Sequence, residues 1–222
     1  MPDISCPSCG AAVPLRKAAV PYVVCPQCQS LLLRSDDDLK TVGQAAVLPF
    51  DVSPIQIGTC GTADDLFFEV VGRVRWGWTD GAWNEWLLAI SDGTTRWLGE
   101  AMGTFMLLRD APQACELPTI RAFANGGTII PGTRVNVGGQ EFIAADVKAA
   151  TCLGAEGQLP FAAPAHWTIT SVDFRNTDGA SLSVQRDANE TSVWIGRYVE
   201  LTDLAPKGLR RFDDWAMPQG LQ

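Results

Sequence analysis

Three features of this 222-residue sequence predict a mainly β protein, a small zinc ribbon followed by an antiparallel barrel- or sandwich-like domain of two related units. Two Cys-x-x-Cys pairs open the chain. Short segments of alternating apolar and polar residues, separated by Asp-Gly and Gly-Gly turns, fill most of the rest. No long stretch carries a 3.6-residue apolar period, so helix is expected to be scarce.

Residues 1–34 are expected to form the ribbon. Cys6 and Cys9 are followed, after fifteen residues, by Cys25 and Cys28. Each Cys-x-x-Cys wraps a tight knuckle that turns two thiolates toward one ion. The intervening hairpin returns the second knuckle to complete a tetrahedron with Zn–S near ~2.3 Å. Gly10 suits the turn after the first pair. A segment this short buries too little surface to fold alone, and metal binding worth ~10–16 kcal/mol supplies the deficit. Four thiolates leave no open coordination position, so one structural Zn2+ and no catalysis is expected there. Residues 19–24 and 31–34 read as the strands of the ribbon.

Residues 35–54 contain Asp36, Asp37 and Asp38 and read as a linker, which makes the ribbon an appended module separable near Ser53. The first β unit spans 55–112. Phe68, Val70, Gly72, Val74, Trp76 and Trp78 take alternate positions, with Glu69, Arg73 and Arg75 pointing the other way. Turns at Asp80-Gly81 and Asp92-Gly93 lead into WNEWLLAI, TTRWLG and TFMLL. A connector follows at 113–128, a second β unit at 129–203, and an arm at 204–222. At an offset of 74 residues Gly58-Thr59 aligns with Gly132-Thr133, and Phe68 with Phe142. Trp97-Leu98-Gly99 resembles Trp194-Ile195-Gly196 at a larger offset that implies an insertion.

Composition narrows the function. Seventeen basic against 25 acidic side chains give a net charge of −8, which repels a phosphate backbone, so nucleic acid is not an expected partner. The N-terminus lacks the basic start and apolar run of a signal peptide, and no uncharged apolar stretch approaches the ~20 residues of a membrane helix. A cytoplasmic protein with no membrane span is the expectation. Paired cysteines in a reducing compartment indicate metal, and Cys60, Cys115 and Cys152 read as buried inert thiols.

Catalytic constellations are missing. His166 is the single histidine, in a loop-to-strand position that fits a structural role. There is no phosphate loop, dinucleotide fingerprint or nucleophile elbow. The chain is therefore read as non-enzymatic, with a carboxylate pair assembled from distant strands as the one catalytic route left open.

Trp76, Trp78, Trp83, Trp86 and Trp97 fall within 22 residues, around Glu85. Trp83 and Glu85 point to one face of their strand, Asn84 and Trp86 to the other. Either the rings build a core, or Trp83, Glu85, Trp86 and Trp97 line a pocket for a cationic ligand.

The segments GRVRW, WNEWLL and TRWLGE, and later PGTRVNVGGQEF, GAEGQLPF and WIGRYVEL, resemble the bacterial domain-of-unknown-function family 4178, in which a CPxCG ribbon commonly precedes two such copies. The family's G-E-L-P appears here as Gly157-Gln158-Leu159-Pro160. The resemblance implies an accessory protein, encoded beside a phage-shock-type membrane-remodelling protein or polyamine-pathway enzymes. The expected function is thus a cytosolic binding and assembly module that docks protein partners near the membrane. The alternative is an accessory subunit that binds a polyamine-like cation for a neighbouring enzyme.

Overall fold

In the computed structural model, which describes residues 4–17, 19–35, 38–213 and 220–221, the alternating segments form fifteen strands. Five precede the repeated units: β1 (Ile4–Ser5), β2 (Ala12–Val13), β3 (Tyr22–Val24), β4 (Ser30–Ser35) and β5 (Asp38–Gln44). The first unit comprises β6 (Cys60–Ala63), β7 (Leu66–Trp78), β8 (Gly81–Ile90), β9 (Thr95–Ala101) and β10 (Thr104–Asp110). The second comprises β11 (Arg134–Val137), β12 (Gln140–Leu159), β13 (Thr168–Arg175), β14 (Ala180–Arg186) and β15 (Thr191–Val199). Between the units lies the helix α1 (Pro118–Ala124), which Pro118 starts and Asn125 and Gly126 end.

The two units repeat residue for residue in their pairing. Gly61 faces Phe68 as Val135 faces Phe142, and Cys60 faces Glu69 as Arg134 faces Ile143, all at the offset of 74. Gly58 N–H donates to Val70 O, and Gly132 N–H to Ala144 O. Each long strand then carries a bulge at the matching place, after Val70 in β7 and after Ala144 in β12. The offset stays at 74 to the end of the β7–β12 match and becomes 86 from β8 and β13 onward, so that Leu87–Trp97 matches Asp173–Ser183. On this register Trp97 and Trp194 lie on non-equivalent strands, β9 and β15. The WLG/WIG likeness is therefore coincidental, because strand pairing, not local identity, fixes equivalence.

The sheet closes on itself. The order β7-β8-β9-β10-β15-β14-β13-β12 returns to β7, giving an eight-stranded antiparallel ring with a pseudo-twofold axis between the units. Its two seams are β10–β15 and β7–β12. At the latter Gly72 faces Gly157, and a Cβ on Gly72 would lie 1.8 Å from Gln158 O. Only glycine permits that approach.

Both faces of the ring are covered. Outside the first unit, Phe68, Val70, Trp86, Leu88 and Leu98 pack under Ile55, Leu201 and Leu204. Outside the second, Phe142, Val172, Phe174 and Leu182 pack under Ile120 and Phe123 of α1. Val74, Trp76, Leu87, Trp97, Leu108 and Cys152 face inward. The unbroken alternation read for Phe68–Trp78 is corrected here: the bulge shifts phase, placing Phe68 and Val70 outside but Val74 and Trp76 inside.

The linker reading of 35–54 is also corrected. Asp36 and Asp37 lie outside the described residues, but residues 38–44 are strand β5, paired with β4. Residues 45–54 form a strap across the ring, where Asp51 meets Arg73, Arg75 and Arg210 in ion pairs. The ribbon is not appended. Its strand β3 pairs with the end of β12, Val24 opposite Gly157 and Tyr22 opposite Leu159. Backbone groups left over at the end of a long strand recruit a neighbour, which removes an open edge. Of the C-terminal arm, residues 214–219 and 222 lie outside the described residues, while Arg210 donates to Ser53 O and Asp51.

Gln158 locks this junction. It is fully buried, accepts from the N–H groups of Arg16 and Lys17 (2.8 Å to the latter), and donates to Lys17 O (2.7 Å) and Val20 O. An amide does both, whereas a carboxylate only accepts. Gln158→Glu is therefore expected to lower stability by about 1–3 kcal/mol in denaturant unfolding, because a buried and a half-buried carbonyl lose their donor. A chain begun near Ser53 is expected to aggregate or lose its cooperative transition. Retention of both would show that the barrel does not need the ribbon.

Candidate functional site

Two sites stand out. The first is the cysteine cluster, whose two knuckles share one backbone design. Gly10 N–H bonds Cys6 O (2.8 Å), and Gln29 N–H bonds Cys25 O (3.0 Å), with both Gly10 and Gln29 at positive φ. The four sulfurs of Cys6, Cys9, Cys25 and Cys28 lie within 4.8 Å of one another, and Cys6–Cys28 and Cys9–Cys25 are each 3.8 Å apart. Four thiolates at ~2.3 Å from a central ion would be spaced at about that distance, so the set fits a metal. Ser30 lies 3.2 Å from Cys28 Sγ and favours its thiolate. Of the other thiols only Cys152 is buried; Cys60 and Cys115 are half-buried, because each lies at the margin of its unit.

The second is the lumen of the ring. Strand alternation puts Trp83 and Glu85 of β8 inside, and β9 adds Trp97. Trp83 and Trp76 each donate an indole N–H to Glu85 (2.9 Å), and Gln185 donates a third bond from β14, on the opposite wall. Phe161 stacks on Trp97 with centroids 5.7 Å apart and closes one end with Trp167. A cavity of about 320 Å³ remains, bounded further by Asp173, Ser183, Trp194 and Tyr198. At its rim Lys148 sits over the Trp78 ring and pairs with Asp146.

The cavity is lopsided because the units differ inside the ring. The pair Trp76–Trp83 corresponds to Ala150–Ile169, Glu85–Gly99 to Ser171–Gln185, and Leu87–Trp97 to Asp173–Ser183. At these positions the first unit supplies Trp76, Trp83, Trp97 and Glu85, and the second supplies the smaller or more polar Ala150, Ile169, Ser183 and Ser171, which leave space.

Burial raises the Glu85 carboxyl above its ordinary range, the three donors oppose this, and the charge of Asp173 adds to it. Asp173 is raised for the same reason, opposed mainly by the Ser183 hydroxyl, 2.8 Å away. Neither carboxyl has a cationic side chain within ion-pair distance among the described residues.

Trp86 does not belong to this site, contrary to the pocket reading. It is fully buried on the outer face, where its N–H donates to Glu100 (2.9 Å) and the Arg73 guanidinium lies 4.5 Å from its ring centroid. Alternation separates it from Trp83 and Glu85. Trp83, Glu85 and Trp97 are brought together; Asp173, Gln185, Phe161 and Lys148 were not foreseen. The signal was there in β13, where Ser171, Asp173 and Arg175 alternate with apolar Val172 and Phe174, but a polar face ordinarily faces solvent. His166 is exposed, with φ 64°, at the loop before β13.

A carboxyl with a raised folded pKa holds its proton more tightly folded than unfolded. Its contribution is complete below the ordinary unfolded value near ~4 and is lost as pH rises through the folded value. Stability measured by thermal unfolding is expected to rise as pH falls toward 5. Asp173→Asn, which keeps an acceptor for Ser183, should flatten that rise, and an unaltered profile would show that Asp173 is not the source.

The family described as "Domain of unknown function (DUF4178)" matches residues 56–201, from the approach to β6 to just beyond β15. No curated protein and no solved structure matches the chain. The matched region is the complete two-unit ring, more than half of the chain, and the protein belongs to the DUF4178 family.

Proposed function

We propose that this protein is a non-enzymatic cytoplasmic accessory protein whose lumen binds a small, polyamine-like organic cation, with a structural zinc held by Cys6, Cys9, Cys25 and Cys28. One observation carries the ligand reading: Glu85, an inward carboxyl with no cationic partner among the described residues, sits beside an aromatic cavity. A buried anion gains from an organic cation that ring faces also attract. The Glu85–Asp173 proximity fits a ligand carrying more than one amine. In this reading the barrel senses such a cation, or presents it to a neighbouring polyamine-pathway enzyme.

Protein docking is the second reading. Val47, Phe50 and Val52 are exposed along the strap, which follows β5, the end strand of the sheet among the described residues. A membrane-remodelling partner of the phage-shock type would engage that surface. No described helix is long and apolar enough to cross a membrane.

Elemental analysis of protein purified without added metal is expected to find one zinc per chain, lost when Cys6 and Cys25 are both replaced by serine. Zinc retained by that variant would refute the assignment. Spermidine or tetramethylammonium is expected to change tryptophan fluorescence saturably. Ring contacts of ~0.5–2 kcal/mol plus a carboxylate give micromolar-to-millimolar affinity. Trp97→Ala should weaken it about tenfold. Glu85→Gln should weaken it too, and should also cost about 1–3 kcal/mol of stability, because an amide cannot accept from all three donors. No saturable response to either probe would refute the lumen reading.

A further inference from the structure

The lumen already contains a cation in the position an incoming ligand would seek. Lys148 Nζ lies 4.8 Å from the Trp78 ring centroid and 2.7 Å from Asp146 Oδ2, so its ammonium has both a ring face and a carboxylate. Trp78 in turn packs on Trp83, with centroids 5.5 Å apart, and Trp83 donates to Glu85. The rings thus run from the rim, where Lys148 sits, to the inner carboxylate. Lys148 is itself part of the cavity wall, with a side chain only 28% exposed. Its counterpart in the first unit is Val74, an inward apolar residue, so the ammonium is not required by the shared architecture of the units.

We propose that Lys148 is a built-in competitor that occupies the Trp78 end of the cation site and sets which ligands can enter; this rests on the lumen reading above. A bound cation exchanges with the Lys148 ammonium at the ring face, and Lys148 swings with Asp146 toward solvent. At the ring face one ammonium replaces another. A cation that can contact only Trp78 gains little, since it replaces one ammonium by another. One that also reaches the Glu85 end keeps a surplus. Lys148 thereby selects against small single amines and simple inorganic cations.

The test has two independent readouts on the full-length protein. Reductive methylation with a ¹³C label marks the ε-amines of Lys17, Lys40, Lys148 and Lys207, the only lysines in the sequence. The Lys148 signal, assigned by its loss in Lys148→Met, is expected upfield of the others through the Trp78 ring current. It should move back as spermidine, which can reach both the Trp78 and the Glu85 ends, saturates the site. In parallel, Lys148→Met, which keeps an apolar stem, should bind tetramethylammonium about 3- to 10-fold tighter than the wild type. The double variant Asp146→Asn/Lys148→Met should retain most of that gain, which excludes simple unmasking of Asp146. An unshifted Lys148 signal, or equal or weaker binding by Lys148→Met, would overturn the competitor role and leave the lumen reading standing. Absence of probe binding to wild type and variant alike would overturn both.

Discussion

Closure of the sheet at the β7–β12 seam is the constraint on which the rest depends. Adjacent strands sit ~4.8 Å apart, and here Gly72 and Gly157 face each other where a side chain would strike the opposing backbone. β12 leaves β13 after Thr151 and passes to β7 from Cys152, through an irregularity between Cys152 and Gly154, and Gly157, at φ 70°, then lies between β7 and β3. The second seam uses the same device, since a Cβ on Gly196 would lie 1.8 Å from Leu107 O. Without closure the inner face would be an open surface, and Glu85 and Asp173 would be ordinary solvated acids.

Given a closed ring, duplication explains both its stability and its asymmetry. Each unit contributes four strands to the wall, and matching bulges after Val70 and Ala144 turn equivalent residues inward. The outer faces remain similarly apolar, because each must bury its cluster beneath a covering segment. The inner faces have diverged. Rings at Trp76, Trp83 and Trp97 meet smaller side chains at the equivalent positions Ala150, Ile169 and Ser183, the two sets cannot interdigitate to full density, and the space left over is the cavity.

The ribbon and strap brace this wall from outside. Gln158 ties Arg16, Lys17 and Val20 to β12, and Gln44 O of β5 accepts from Ala165 N–H in the loop that carries Phe161 into the lumen. Asp51 gathers three arginines over the outer face. Desolvating such a cluster is costly, and its contribution lies chiefly in fixing one position for the strap. The cysteine cluster is thus structurally continuous with the end of the cavity.

The sequence by itself determined the features that local chemistry specifies. Cysteine spacing located Cys6, Cys9, Cys25 and Cys28, because a knuckle is set by a few adjacent residues. Alternation and turn residues gave a β protein of two units, and placed Trp83 with Glu85 but apart from Trp86. What only the tertiary structure decided was which face of each strand is inside. A bulge reverses that assignment with a single residue, as in β7, and alternation in β13 is the same whether its polar face meets solvent or a lumen. The ribbon's place in the main sheet was equally illegible, since β3 and β12 meet more than 130 residues apart. Glu85 was visible in WNEW, but its lack of a cationic partner among the described residues depends on which side chains the closed ring brings around it.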